Sequence, residues 1–203
     1  LPWLRGYEGS VPVRIGNGAV DQRQLDVYGE VMDTLWLARC YGMAPSEDAW
    51  RMQRGIMHWL EEHWREPDEG LWEVRGPRRQ FTHSKVLAWA AADRAVRTIE
   101  EGTYDGPVER YRALREEIHA DVCAHGYDPA RNTFTQSYGS RSLDAALLLI
   151  PQLGFLPPED ARVRGTLRAV QRELGTAHAV RGTQDQEKQA AVFKRRCKPV
   201  FPS

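Results

Sequence analysis

Long apolar runs, an excess of charge and clustered cysteines are all missing from this sequence. No stretch approaches the roughly 18–20 consecutive apolar residues of a membrane span. The first residues lack the basic-then-apolar layout of a secretion signal. The 28 basic side chains are matched by 28 acidic ones, so the basic excess that marks nucleic-acid binding is absent. Cys40, Cys123 and Cys197 lie far apart with no CxxC spacing, which argues against a disulfide framework or a zinc site and favours a reducing, cytoplasmic setting. Lysine is scarce as well, four residues against 24 arginines, a bias typical of GC-rich coding.

Several catalytic signatures are also lacking. There is no GxSxG elbow, and Gly16-Asn17-Gly18 has neither the following lysine nor the preceding strand of a phosphate loop. His58 and His63 are five residues apart and His119 and His125 six, so neither pair shares a helix face as an HExxH metal site requires.

What is present is a chain of 203 residues, 41% hydrophobic and 28% charged, within the range of one soluble domain or two small ones. After a Gly- and Pro-rich opening, Leu25, Tyr28, Val31, Met32, Leu35 and Trp36 recur at helical steps until Gly42. A second helix is expected from the Ser46 cap to Pro67, with Met52, Ile56, Trp59, Leu60 and Trp64 as its apolar stripe. A third spans about Thr82 to Glu101 and a fourth about Val108 to Ala124, the latter through Tyr111, Leu114, Ile118 and Val122. Asn132 to Tyr138 favours an extended backbone. A short helix from Leu143 to Leu153 and a sixth from about Glu159 to Leu174 complete an all-α reading, in which short links predict antiparallel neighbours.

Residues 176–203 differ in character. They carry a net charge of +4 against −4 for residues 1–175 and hold three of the four lysines. A divergent, disordered or out-of-frame tail is expected there, with a basic interaction tail as the alternative. The chain starts at Leu1 in mid-phrase, so an internal piece of a longer protein is expected.

Two segments suit chemistry. Trp72-Glu73 sits in a tight turn between helices, where an indole beside a carboxyl can hold it partly desolvated. Desolvation raises a carboxyl pKa toward the range of a general acid, although the pair suits an ordinary surface turn equally well. The loop 12–18, followed by Gln22, Gln24 and Asp26, offers donors and acceptors for sugar hydroxyls, or simply a polar helix start.

The runs LPWLRGYEGSVPVRIGNGAVDQRQLDVYGEVMDTL, PDEGLWEVRGPRRQFTHSKVLAWAAADRAV and LDAALLLIPQLGFLPPEDARVRGTLRAVQREL resemble bacterial members of glycoside hydrolase family 15, the family of glucoamylases, glucodextranases and trehalases. The likeness covers essentially residues 1–174. It implies a catalytic (α/α)6 toroid, of which this chain would form about half as helical hairpins, with 1–175 the catalytic fragment and 176–203 outside it. The implied reaction is hydrolysis of an α-glucosidic bond, in trehalose or a maltodextrin, with inversion. The implied partner is a small carbohydrate, with neither nucleic acid nor membrane.

Carried over by position, Glu73 matches the family's general acid, and Trp72 would pack against the substrate. Arg14 and Asn17 match the loop bordering the sugar pocket. Arg75 and Lys85 fall in similar blocks (WEVRG, FTHSK) and would shape the site, while Gln24 and Asp26 either line it or tie the helix to its neighbours. No cofactor is required for the chemistry, and the trehalase branch would allow phosphate and magnesium. The second carboxylate of an inverting hydrolase has no match in 176–203, so this chain alone is expected to be inactive. The alternatives are a non-catalytic helical remnant and a sugar-binding module.

Overall fold

The computed structural model describes residues 1–14, 16, 22–72 and 76–175. Five α-helices carry it: α1 (Asp26–Cys40), α2 (Glu47–His63), α3 (Thr82–Glu100), α4 (Val108–His125) and α5 (Ala161–Glu173). The only strands among the described residues, β1 (Tyr127–Asp128) and β2 (Thr133–Phe134), form a two-residue antiparallel ribbon; β2 lies within the segment expected to be extended, and β1 precedes it. The architecture is all-α, as the half-toroid reading requires.

The helix ends follow local chemistry. Gly42, at φ +97, ends α1 in a paired cap: its N–H reaches Arg39 O at 2.9 Å and the Met43 N–H reaches Ala38 O at 3.0 Å. Ser46 caps α2 by accepting from the Ala49 N–H. The expected fifth helix is instead a 3-10 turn, Ala145–Leu149, capped by the Asp144 carboxylate. Pro151 has no N–H to continue an α ladder there, and Gly154, at φ +82, closes the segment.

α3 is the central rod. It packs along α1 on one side and α4 on another, with α2 also against it. Sixteen of its residues are buried, including Ala88, Ala90, Ala91, Ala92 and Ala95. A helix buried nearly all round marks an interior position, and its alanines let neighbours approach closely. α4 buries the expected Tyr111, Leu114, Ile118 and Val122.

α2 departs from the expected stripe. Trp50, Gln53, Met57, Leu60 and Trp64 are buried, Met52 is exposed, and Ile56 and Trp59 are half-buried. The face is turned because Trp50 is the anchor: its indole stacks on Tyr104 at 5.0 Å and its N–H donates to Asp105 O at 3.2 Å.

The α1–α3 contact is closest at Gly29, where a Cβ would lie 2.2 Å from Leu87 O. That oxygen belongs to a helical backbone and cannot yield without moving α3. Gly29→Ala is therefore expected to cost about 1–3 kcal/mol by overpacking, despite the better helix propensity of alanine. A urea midpoint equal to or above that of the parent protein would contradict this.

Candidate active site

Three connecting segments are laced together where α1 and α3 begin and α2 ends. The chain after Pro67 is pinched into a loop by a reciprocal backbone pair, Asp68 N–H to Arg79 O at 3.0 Å and Arg79 N–H to Asp68 O at 2.9 Å. The segment before α1 lies along this loop. Glu69 N–H donates to Arg23 O at 3.0 Å, Arg23 N–H to Glu69 Oε2 at 2.6 Å, and Leu25 N–H to Asp68 Oδ2 at 3.1 Å. The third strand of the lacing follows β2: Thr82 N–H donates to Gln136 O at 3.0 Å and Tyr138 N–H to Gln80 O at 2.9 Å. Gly70 is demanded twice over, by φ +68 and by the Phe81 ring 2.8 Å from where a Cβ would stand.

Trp72 rides on this pinched loop. Its ring is 63% exposed, yet its indole N–H donates to Asp144 Oδ2 at 2.8 Å. The same carboxylate accepts from Gln136 Nε2 at 3.2 Å, and its other oxygen caps the 3-10 turn at Ala146 N–H, 2.9 Å away. Asp144 thus ties the loop tip to the turn that replaces the fifth helix. Its part was missed in the sequence, where it lies 72 positions away within the expected helix Leu143 to Leu153.

Gln24 Nε2 donates to Gly70 O at 3.2 Å, so it ties the loop to the start of α1. Asp26 is buried, with its Oδ1 accepting from Val27 N–H at 3.1 Å. Desolvation, with the Asp68 charge adding to it, pushes the Asp26 carboxyl up to about 6. His83, in the first turn of α3, is buried nearby, its Nδ1 4.0 Å from Asp26 Oδ2. Burial pushes the imidazole below its usual range against the opposing pull of Asp144, which favours its neutral form. His83 also escaped the sequence reading.

Lys85 is placed behind this end. Its ammonium is buried and donates to Trp64 O and, at 2.7 Å, to Glu66 O, covering the last carbonyls of α2. Desolvation lowers it to about 8, with Asp68 and Asp121 opposing. Arg14 is exposed in the N-terminal segment, outside the lacing described here. Glu73, Arg75 and Asn17, and the tail 176–203, lie outside the described residues.

A cavity of about 390 Å³ opens beside this end, walled by Gln22, Gln24, Tyr28 and Trp59 with Arg23 and Arg78. Its arginines are paired, Arg23 with Glu66 and Arg78 with Glu69. Trp72, Asp26 and His83 are not in its wall. Among the described residues, no three His, Cys, Asp or Glu side chains are grouped to hold a metal ion. No helix of those residues is long and apolar enough to cross a membrane.

The Asp26 shift has a measurable consequence. Because the folded pKa is raised, the native state binds the extra proton between about 4 and 6, and Asp26's contribution to stability falls as pH rises through that window. Asp26→Asn, neutral throughout, is expected to flatten this fall and to be more stable than the parent at pH 7 by about 1–3 kcal/mol. Urea titrations at pH 4, 5, 6 and 7 read the effect, and an unchanged slope contradicts it.

The fold has solved counterparts. Solved glycosidases superpose on this chain with a TM-score of 0.65: a variant in complex with glucose at 21% identity and the wild type at 19%, each match covering 84% of this chain and 47% of the other. The chain belongs to glycosyl hydrolases family 15, whose profile matches residues 1–196. It is 45% identical over 175 residues to a trehalase of Mycobacterium tuberculosis, covering 86% of this chain and 25% of the relative. Against a trehalase of Thermoplasma acidophilum it is 39% identical, covering 84% and 29%. Against Trehalase 2 of Sulfolobus acidocaldarius it is 34% identical, covering 87% and 31%. The chain therefore spans roughly a quarter to a third of the relatives' length.

Proposed function

We propose that the protein hydrolyses an α-glucosidic bond with inversion at the anomeric carbon, with trehalose as substrate and Glu73 as the general acid. Family membership and the trehalase relatives support this. The observation that carries it is the Trp72–Asp144 hydrogen bond, which fixes an exposed indole face next in sequence to Glu73.

In this reading the Glu73 carboxyl protonates the departing glycosidic oxygen as positive charge grows on the ring. A water attacks the opposite face, activated by a second carboxylate about 6.5–9.5 Å from the first. Trp72 offers its flat face to the sugar, Gln24 contributes to the pocket wall, the buried Asp26 braces the start of α1, and Arg14, Asn17 and Arg75 border the pocket. Lys85 acts from behind by holding the end of α2. Residues 1–175 form part of the catalytic toroid and 176–203 a separate tail, in a cytoplasmic protein.

The test is proton NMR of the first sugar released from trehalose by the whole protein. Inversion gives one β-glucose and one α-glucose per bond cleaved, and retention gives two α-glucose molecules. Release from maltose but not trehalose would reassign the substrate to a maltodextrin. Saturable binding of both with no product would mark a sugar-binding module and overturn the hydrolase reading.

A further inference from the structure

Packing does little to set the direction of Trp72. It and its neighbour Leu71 are both exposed, so the hydrogen bond from the indole N–H to Asp144 Oδ2 is what orients the ring. The acceptor, by contrast, is held firmly. Its Oδ1 accepts from the Ala146 N–H as the cap of the 3-10 turn, and its Oδ2 also accepts from Gln136 Nε2. Gln136 is fixed in turn by its backbone: its N–H donates to Ser142 O at 2.8 Å, and its carbonyl accepts from Thr82 N–H at the start of α3. Asp144 is therefore a rigid post and Trp72 the arm tied to it. An indole has only two rotatable side-chain bonds, so fixing its N–H leaves the ring plane a narrow range.

We propose that Asp144 is a positioning residue for the reaction: through the indole N–H it sets the ring face of Trp72 toward the sugar. It touches no reacting atom and acts through Trp72. A ring already oriented loses less freedom when the sugar binds. The face meets the sugar before and during bond cleavage alike, so its misplacement shows in KM more than in kcat. The inference rests on the α-glucoside reading above and adds to it the residue that aims the sugar-facing ring.

Asp144→Asn separates this role from the capping role. The amide oxygen can still accept from the Ala146 N–H, and asparagine caps as well as aspartate does. Its NH2 then stands against the indole N–H and the Gln136 amide, one donor facing two others. Asp144→Ser likewise keeps a capping oxygen but lacks the second acceptor.

The experiment is a double-mutant cycle on the whole protein, with trehalose as substrate and urea midpoints to establish that each variant is folded. Asp144→Asn and Asp144→Ser are expected to raise KM by roughly 3- to 10-fold, the net worth of one hydrogen bond. Their kcat should stay within about two-fold of the parent. With Trp72→Phe already present, which has no indole N–H, adding Asp144→Asn should change KM by less than about two-fold. A role confined to the 3-10 turn would not show this dependence on Trp72. Should one Asp144 variant not fold, the other carries the cycle. An unchanged KM in folded variants, a fall in kcat alone, or the full effect persisting beside Trp72→Phe overturns the proposal. If Glu73→Gln abolishes turnover while the cycle shows no coupling, only this inference fails. If the parent protein cleaves no glucoside, the hydrolase reading fails and this inference with it.

Discussion

Glu73→Gln in the whole protein is expected to lower kcat on trehalose by about 10²–10⁴-fold, the usual contribution of a positioned general acid. KM should move little, because the amide has the shape of the carboxyl and keeps an acceptor oxygen. What it loses is the proton for the leaving oxygen. The fluoride of an α-glucosyl fluoride departs without protonation by a general acid, so on that substrate the variant should retain most of the parent rate. The two substrates together separate a missing proton from a damaged pocket. A variant that keeps more than about a tenth of parental kcat on trehalose would refute the role. A companion change, Trp72→Phe, keeps an aromatic face but removes the donor to Asp144, and should raise KM more than it lowers kcat.

The second large effect concerns Arg94, which is 5% exposed. Its guanidinium joins three parts of the chain: Nε donates to Asp33 Oδ1 at 2.6 Å on α1, Nη1 pairs with Asp93 on α3, and Nη2 donates to Leu153 O at 2.9 Å beyond the 3-10 turn. The Trp36 ring centroid lies 4.7 Å from its Cζ. Arg94→Ala would take the guanidinium from Asp33 and from the Leu153 carbonyl, while Asp93 keeps Arg97 and Arg115, and about 3–5 kcal/mol of stability should be lost. Arg94→Lys keeps the charge but cannot direct donors along three lines, so an intermediate loss is expected. By contrast Arg97, 46% exposed at its side chain and paired with the same Asp93, should cost less than about 1 kcal/mol on replacement by alanine. Urea midpoints for the three variants check the order.

Local signals were legible wherever a short stretch of chain settles its own conformation. Ser46, Gly42 and the stripe of α4 depend on neighbours within a few positions, and each behaves as its spacing predicts. The α2 stripe misled because two tryptophans and two methionines crowd that helix, so several faces look apolar. The choice of Trp50 was made by Tyr104 and Asp105, which lie more than fifty positions away. The Leu143–Leu153 segment misled because its apolar content outweighed one missing N–H at Pro151.

The same division runs through the candidate site. Trp72, Gln24 and Asp26 could be picked out because their blocks have a family likeness. His83 and Asp144 could not, since a histidine one place into a helix and an aspartate before a turn are ordinary in sequence. For Lys85, only the fold sets its ammonium against the carbonyls of Trp64 and Glu66, at the end of α2.

The sequence by itself determined the helical class, most helix ends and the family, since these follow from periodicity, capping chemistry and contiguous blocks. Only the tertiary structure decided which face of α2 turns inward, that Gly29 admits Leu87, that Arg94 joins three segments, and that Asp26 meets His83. Each of these depends on side chains far apart in the chain meeting at a packed surface, where excluded volume and the loss of water set the outcome and no local pattern records it.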